Sequence, residues 1–242
     1  MKRTILLLLI VVSLAGLKAQ ESGGSGFFSG TFYMGGRIGY GIVNFESIIA
    51  GENDFAQTTY DNYSVGALGN YKLDGRFGFQ LEASFSKYGA KNIMPEYLYS
   101  PSSPVLATSG SGSSVDHVDM DIYTIDVPLT VRFSLGGGAF SPYVYAGVNY
   151  AFNVKGVTTI TRKTTFNDIV KYDESSDDIT DRIIYNEFAP VVGAGVTMDL
   201  IGYKFFADAR YKYGMTNLSN VDNNLGFTNR ALWISVGLIF QL

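Results

Sequence analysis

The chain has no cysteine and a single histidine, His117, among its 242 residues. The lack of thiols excludes disulfides and thiolate metal sites. Charged residues make up 17 % of the chain, whereas soluble proteins average about 25 %. The net charge of −4 gives no electrostatic basis for binding nucleic acid. Beyond the first 17 residues, no apolar run reaches the roughly 20 residues that a membrane-spanning helix needs.

The first residues have the features of an export signal. Lys2 and Arg3 precede an apolar run, Ile5–Leu17, and Ala19 supplies a small residue for cleavage. The run is too short for a membrane anchor, which is the alternative interpretation. The predicted organisation is a signal peptide at 1–19, a flexible lead-in rich in glycine and serine at 20–30, and one domain at 31–242.

The rest of the chain alternates apolar and polar residues with a period of two, which is typical of β-strands. Eight segments of about ten residues show this pattern, and an even number of such segments is the signature of an outer-membrane barrel. The segments are 32–42, 63–72, 77–86, 123–133, 143–152, 187–199, 205–214 and 231–241.

Short and long connections alternate along the chain. Short turns are expected near 73–75, 134–139 and 200–202, and long loops near 46–59, 89–116, 155–182 and 217–229. Outer-membrane barrels have short turns in the periplasm and long loops outside the cell. The sequence therefore predicts an eight-stranded antiparallel transmembrane β-barrel with both termini in the periplasm, in contact with outer-membrane lipid and lipopolysaccharide. The alternative is a water-soluble, lipocalin-like barrel, which would have shorter and more even loops.

One face of the predicted strands is almost free of charge and carries aromatic residues near the segment ends, as expected of a lipid-facing surface. The opposite face would line the lumen and carries four cations and four anions. These lumen charges are Arg37, Glu82, Asp126, Arg132, Glu187, Asp208, Arg210 and Lys212.

An eight-stranded barrel is only wide enough for its own side chains to fill, so these charges are expected to pair. Counting from the strand ends places Glu82, Asp126 and Arg210 at mid-height, which predicts a shared Glu82–Arg210–Asp126 cluster. The interior would then be a structural plug of salt bridges. The alternative is a charged constriction in a narrow pore for ions or small solutes. Pro128 and Pro190 interrupt two strands and predict a bulge or local widening, because proline cannot donate a ladder hydrogen bond.

Catalytic and metal-binding alternatives cluster around the single histidine. Ser114, Asp116 and His117 could form a nucleophilic set, and Asp116, Asp119 and Asp121 could hold Ca²⁺, although their spacing matches no established calcium loop. The acidic run 173–178 with Asp181 is interpreted as a mobile, solvated loop. The sequence predicts a non-enzymatic protein without a cofactor.

Four stretches resemble the PorT-like outer-membrane barrels of Bacteroidetes-type bacteria, in the order in which that family has them. They are Tyr123–Leu129, Pro142–Gly147, Gly193–Val196 and Ala209–Asn217. The resemblance implies an eight-stranded barrel and a role as a structural or interaction protein, or as an accessory subunit of an outer-membrane machine with envelope protein partners. The founding member belongs to the type IX protein secretion system, so that process is the specific role the resemblance implies.

Overall fold

The computed structural model describes residues 30–48, 61–73, 76–93, 98–99, 103, 113–166, 169–200, 202–221 and 225–242. The predicted signal peptide and nearly all of the lead-in lie outside these residues, as do parts of the predicted loops. No helix within the described ranges is long and apolar enough to cross a membrane.

Nine β-strands make up almost all of the described chain. They are β1 (Gly30–Ser47), β2 (Asn62–Leu73), β3 (Phe77–Ala90), β4 (Ser113–Ser134), β5 (Phe140–Phe166), β6 (Ile169–Asp178), β7 (Asn186–Leu200), β8 (Tyr203–Tyr213) and β9 (Phe227–Gln241). A 3₁₀ turn, Thr180–Arg182, follows β6.

All strand pairs are antiparallel, and eight of the strands close into a ring. The sheet order is β4-β3-β2-β1-β9-β8-β7-β5-β6, and a further pairing of β4 with β5 joins the two sides. Among the described strands β6 pairs with the far half of β5 alone, so it lies outside the ring. The predicted eight-stranded barrel is confirmed, and the ninth strand is an addition to it.

The connections divide the barrel into two ends. β2–β3, β4–β5 and β7–β8 are joined by short turns at one end, here called the turn end, where β1 begins and β9 finishes. The longer connections lie at the other end, here called the loop end. Alternation of short and long connections is therefore present as predicted.

Side chains alternate between the two faces of the barrel wall. The outward face is apolar and exposed, as at Ile38, Val192 and Ile234, which are 60 %, 54 % and 57 % exposed. Exposed aromatic residues lie on this face near both ends; they include Phe77, Phe79, Phe205 and Phe240 at the turn end and Tyr40, Tyr63, Tyr150 and Tyr211 at the loop end. The inward face is mostly polar and buried, so the period-two pattern identified the two faces correctly.

At the loop end, the predicted loop 155–182 is instead mostly β-structure. The far half of β5 pairs with β4 on one edge and with β6 on the other. The acidic run 173–178, interpreted from composition as a mobile loop, lies in β6 and is exposed on nearly every residue. The sequence prediction was wrong here because the β-branched run from Val157 to Thr161 favours a strand, whereas composition alone suggested a loop.

Two ladder interruptions coincide with the strand prolines. Between β3 and β4 the paired residues jump from Leu81–Leu129 to Ser84–Asp126, so the ladder is open beside Pro128. The β7–β8 ladder ends at Val191, one residue after Pro190. The two prolines flank β5 at one height, opposite Asn149 and Val148. The group formed by β4, β5 and β7 therefore meets β3 on one side and β8 on the other at two weakened seams.

Candidate functional site: the charged lumen

All eight predicted lumen charges lie on inward-facing strand positions. Seven are buried, with exposures between 1 % and 6 %, whereas Arg132 is half-buried near the turn end. These charges form two clusters at different heights, with Arg132 apart from both. The lower cluster consists of Arg37, Glu82, Asp208 and Arg210. The upper cluster consists of Tyr88, Asp126, Glu187 and Lys212.

Glu82 is the centre of the lower cluster. Its Oε2 accepts from Arg37 Nη1 at 2.6 Å and from Arg210 Nη1 at 3.0 Å, and its Oε1 accepts from Arg210 Nη2. Gln80 donates to the same Oε1 at 2.6 Å. Glu82 on β3 thus connects β1 and β8 across the lumen, with charge-assisted bonds of the bidentate type that arginine forms best.

Further polar contacts hold the two arginines in place. Arg210 Nε donates to the hydroxyl of Tyr145 at 3.1 Å, and Arg37 Nη2 donates to Ser235 Oγ. Asp208 Oδ1 lies 3.7 Å from Arg37 Nη2, and its Oδ2 accepts from Tyr143 at 3.4 Å. A carboxylate and a guanidinium removed from water need such partners, because an unpaired buried ion carries a penalty of several kcal/mol.

Lys212 is the centre of the upper cluster. Its Nζ donates to Glu187 Oε2 at 2.9 Å and lies 3.5 Å from Asp126 Oδ1. The Tyr88 hydroxyl donates to Asp126 Oδ2 at 2.9 Å, and Asn149 Nδ2 donates to Asp126 Oδ1 at 2.7 Å. One cation is therefore shared by two carboxylates, the reverse of the arrangement around Glu82.

The predicted Glu82–Arg210–Asp126 cluster is only half correct. Arg210 pairs with Glu82, but Asp126 pairs with Lys212. In the β3–β4 register Asp126 lies opposite Ser84, two residues above Glu82, and two strand residues rise about 6.6 Å. Lys212 lies two residues above Arg210 on the same face of β8. Each carboxylate thus pairs with the cation of its own layer.

The upper cluster bridges both weakened seams. Tyr88 on β3 bonds to Asp126 on β4 beside the Pro128 interruption, and Lys212 on β8 bonds to Glu187 on β7 beyond the end of the Pro190 ladder. Side-chain hydrogen bonds therefore connect strands whose backbones have lost ladder bonds there. The sequence pattern did not predict that these side chains bridge the two interrupted ladders, because which residues face one another depends on the pairing register.

Apolar layers that sequence reasoning missed lie above and below the charges. At the loop end, Val43, Phe45, Trp233 and residues from the loop-end connections, such as Leu98 and Leu218, form a buried core. At the turn end, Leu68, Phe206 and Ile239 form a smaller one. The sequence contains the information for the second core, since the alternation places the apolar residues Leu68 and Phe206 on the inward face.

The space left between the two clusters is small. A cavity of about 20 Å³ is bordered by Ser64, Ser84, Ser86 and Asn149 together with the charged groups. That is room for about one water molecule. The carboxamide oxygen of Asn149 is buried there and accepts no protein hydrogen bond.

The residues considered for catalysis or calcium binding are not assembled into such a site. His117 Nδ1 lies 3.0 Å from Asp116 Oδ2, with both side chains more than one-third exposed. Among the described residues no hydrogen bond joins Ser114 to His117. Asp121 pairs with Lys87 at 3.1 Å, and no metal-binding group of three or more His, Asp or Glu side chains occurs in the described part of the chain.

Two solved structures resemble this chain at low sequence identity, and the fold of the first supports this architecture. OprG from Pseudomonas aeruginosa, an outer membrane protein, is 16 % identical over 90 % of this chain and 98 % of its own, with a TM-score of 0.50. Neisserial surface protein A is 12 % identical over 87 % and 97 %, with a TM-score of 0.47. At these identities the likeness concerns the fold alone. No curated protein sequence matches the chain significantly.

The sequence itself matches a family model over most of its length. Residues 18–220 match the model described as the outer membrane protein beta-barrel domain. The match includes strands β1 to β8, and β9 completes the ring in the structure. The chain therefore belongs to the outer membrane protein β-barrel domain family.

Proposed function

We propose that the protein is a non-enzymatic outer-membrane barrel with a closed lumen, which acts as an interaction protein through a β-extension at its loop end. The extension consists of Ser113–Tyr123 of β4, Lys155–Phe166 of β5 and all of β6. The observation that carries the proposal is this three-stranded extension beyond the ring, because its last strand pairs on one edge only among the described residues.

The closed lumen is supported by the order of its layers. From the turn end, Leu68 and Phe206 are followed by the two charged clusters and then by the core around Trp233. A conducting pore needs a continuous polar path, which apolar layers on both sides of the charges oppose. A narrow pore for ions or small solutes is the alternative function, and it would require these layers to move.

Among the residues that the structure describes, the outer edge of β6 pairs with no strand, and alternate backbone groups along it are available for pairing. Ile179 N–H donates to Gly156 O at 3.0 Å and continues the β5–β6 ladder. In an antiparallel ladder, alternate residues point to the partner strand, so the even-numbered residues of β6 direct their N–H and C=O groups outward. Exposed edges of this kind recruit extended segments by strand addition.

Charge indicates which segment fits this edge. β6 contains four carboxylates and one cation, Lys171, and its first residues, among them Ile169 and Tyr172, are 71 % and 57 % exposed. A second copy of β6 would meet like charges, which disfavours self-pairing. The extended segment that fits is therefore cationic, with apolar residues opposite the hairpin tip.

A group of contacts holds β6 in place beside β5. The Tyr99 hydroxyl bonds to Thr158 at 2.6 Å and donates to Asp177 at 3.1 Å, and Arg182 Nη1 donates to Asp177 at 2.7 Å. Burial raises the pKa of Tyr99, which keeps its hydroxyl protonated as a donor. A β6 held in this way is pre-organised for a partner, which lowers the entropy lost on binding.

The loop end is proposed to face the cell exterior and the termini the periplasm, with lipid and lipopolysaccharide around the apolar face. The short turns at one end and the extension at the other support this orientation. The four stretches that resemble PorT-like barrels support an envelope protein as the partner. A component of the type IX secretion system is the specific candidate that this resemblance offers.

The closed lumen predicts a large loss of stability for Arg210→Ala. Glu82 would keep Arg37 and Gln80 but lose its bidentate partner, and breaking a buried pair costs about 3–5 kcal/mol. The matched control is Arg230→Ala, since Arg230 pairs with Glu46 at 2.7 Å with both side chains about one-third exposed, and such pairs contribute about 0–1 kcal/mol. Urea unfolding in lipid vesicles measures both. Equal midpoints for wild type and Arg210→Ala would favour a water-filled pore instead.

The orientation predicts which single-cysteine variants react on intact cells. Because the chain has no cysteine, Ser175→Cys in β6 and Gly137→Cys at the turn end each give one thiol. Both positions are exposed. A membrane-impermeant maleimide should label Ser175→Cys on whole cells and Gly137→Cys only after permeabilisation. The opposite pattern would invert the orientation.

The free edge predicts that proline at an outward-facing position blocks strand addition. Ser176→Pro removes an outward N–H and no β5–β6 ladder bond, whereas Ser176→Ala keeps the N–H. The probe is a fluorescent ten-residue peptide that alternates lysine with threonine, measured by anisotropy with purified protein in micelles. Binding should weaken at least about tenfold for Ser176→Pro and persist for Ser176→Ala. Equal binding to both variants, or no binding to wild type, would reject the edge as the interaction site.

A further inference from the structure

The turn end of the lumen opens into a blind cavity that the interaction function does not use. Its volume is about 50 Å³, and it ends against Ile239, which belongs to the apolar core with Leu68 and Phe206. Three cations border it, Lys72 on β2, Arg132 on β4 and Lys204 on β8, whereas Asp199 is its one carboxylate. The lining therefore has a net charge of +2.

Arg132 is the innermost of these cations, and its guanidinium uses only some of its hydrogen-bond donors. It lies 3.4 Å from the centroid of the Tyr143 ring, and its Nη2 donates to Thr197 Oγ1. Within the described residues, no carboxylate comes within 4.0 Å of it and its other N–H groups form no hydrogen bond. Its ring and hydroxyl contacts hold the guanidinium in place without neutralising its charge.

The two lysines differ in their surroundings. Lys204 Nζ lies 2.5 Å from Asp199 Oδ1, so that cation is already paired. Lys72 is exposed and follows Asn70 on the inward face of β2, and it forms no ion pair among the described residues. Lys72 and Arg132 are thus the two cations available to a ligand.

Neutral polar groups complete the lining. Ser134, Ser141 and Thr197 border the cavity and present hydroxyl groups. A planar guanidinium, an ammonium and several hydroxyls are the donors that carboxylates and phosphates bind. A cation such as Ca²⁺ would instead need several oxygen ligands with negative charge, and Asp199 is already paired.

We propose that this cavity is a binding site for a small anion of the carboxylate or phosphate type, with Arg132 and Lys72 as its charged ligands. The anion enters from the turn end and leaves by the same opening, because the Ile239 core closes the other side. The site does not depend on the β6 edge, so either proposal can fail without the other.

The test is a nuclear magnetic resonance titration of the full-length mature chain in zwitterionic micelles. Inorganic phosphate and acetate are the two probes, each added at an ionic strength held constant with sodium chloride. The Nε–H signal of Arg132 and the amide signal of Thr197 should shift and saturate with at least one probe. The probe that binds more tightly identifies the anionic group that the cavity prefers.

Three variants separate a site from general charge attraction. Lys72→Gln, which changes an exposed side chain, and Arg132→Gln should each weaken binding at least about tenfold. Lys163→Gln at the loop end removes the same charge far from the cavity and should leave the affinity unchanged. Shifts that never saturate with either probe, or an unchanged affinity in Lys72→Gln with a folded spectrum, would overturn the proposal.

Discussion

The interior of an eight-stranded barrel is too narrow to keep its charged side chains in water, and the rest of the structure depends on that constraint. Four cations and four anions point inward, and burial is tolerable only where each finds partners. Glu82 pairs with two arginines, and Lys212 pairs with two carboxylates. The central charge of each cluster is therefore paired. The clusters fill the middle of the lumen, and an apolar layer lies on each side of them.

The same clusters offset a weakness in the wall. Pro128 and Pro190 interrupt the ladders on either side of the strands that carry the loop-end extension. A closed ring has no edge strand, so each proline removes a hydrogen bond from a ladder between two strands. Tyr88, Asp126, Glu187 and Lys212 connect the separated strands through side chains. The charged side chains of the lumen therefore also hold the barrel wall together. This explains how a long extension can project from a barrel in which two strand ladders are interrupted.

Much of the fold could be predicted from the sequence, because a period of two places every second side chain on one face, and a barrel in the outer membrane needs its apolar face toward lipid. That reasoning identified the eight strands, the two faces and all eight inward charges. It could not assign partners, since the Asp126–Lys212 pair depends on register, and a shift of one layer moves a side chain about 6.6 Å. Composition also concealed β6, because its acidic residues are typical of a loop although they lie on an exposed strand.

Ionic conductance across a membrane tests most directly whether the lumen is closed. The purified full-length mature protein would be inserted into planar lipid bilayers, with a voltage applied across the membrane in potassium chloride. Charge clusters enclosed between the Leu68–Phe206–Ile239 layer and the Phe45–Trp233 core predict no stepwise current above the bare membrane. Reproducible single-channel steps whose ion selectivity changes in Arg210→Ala would contradict a closed lumen and establish a pore.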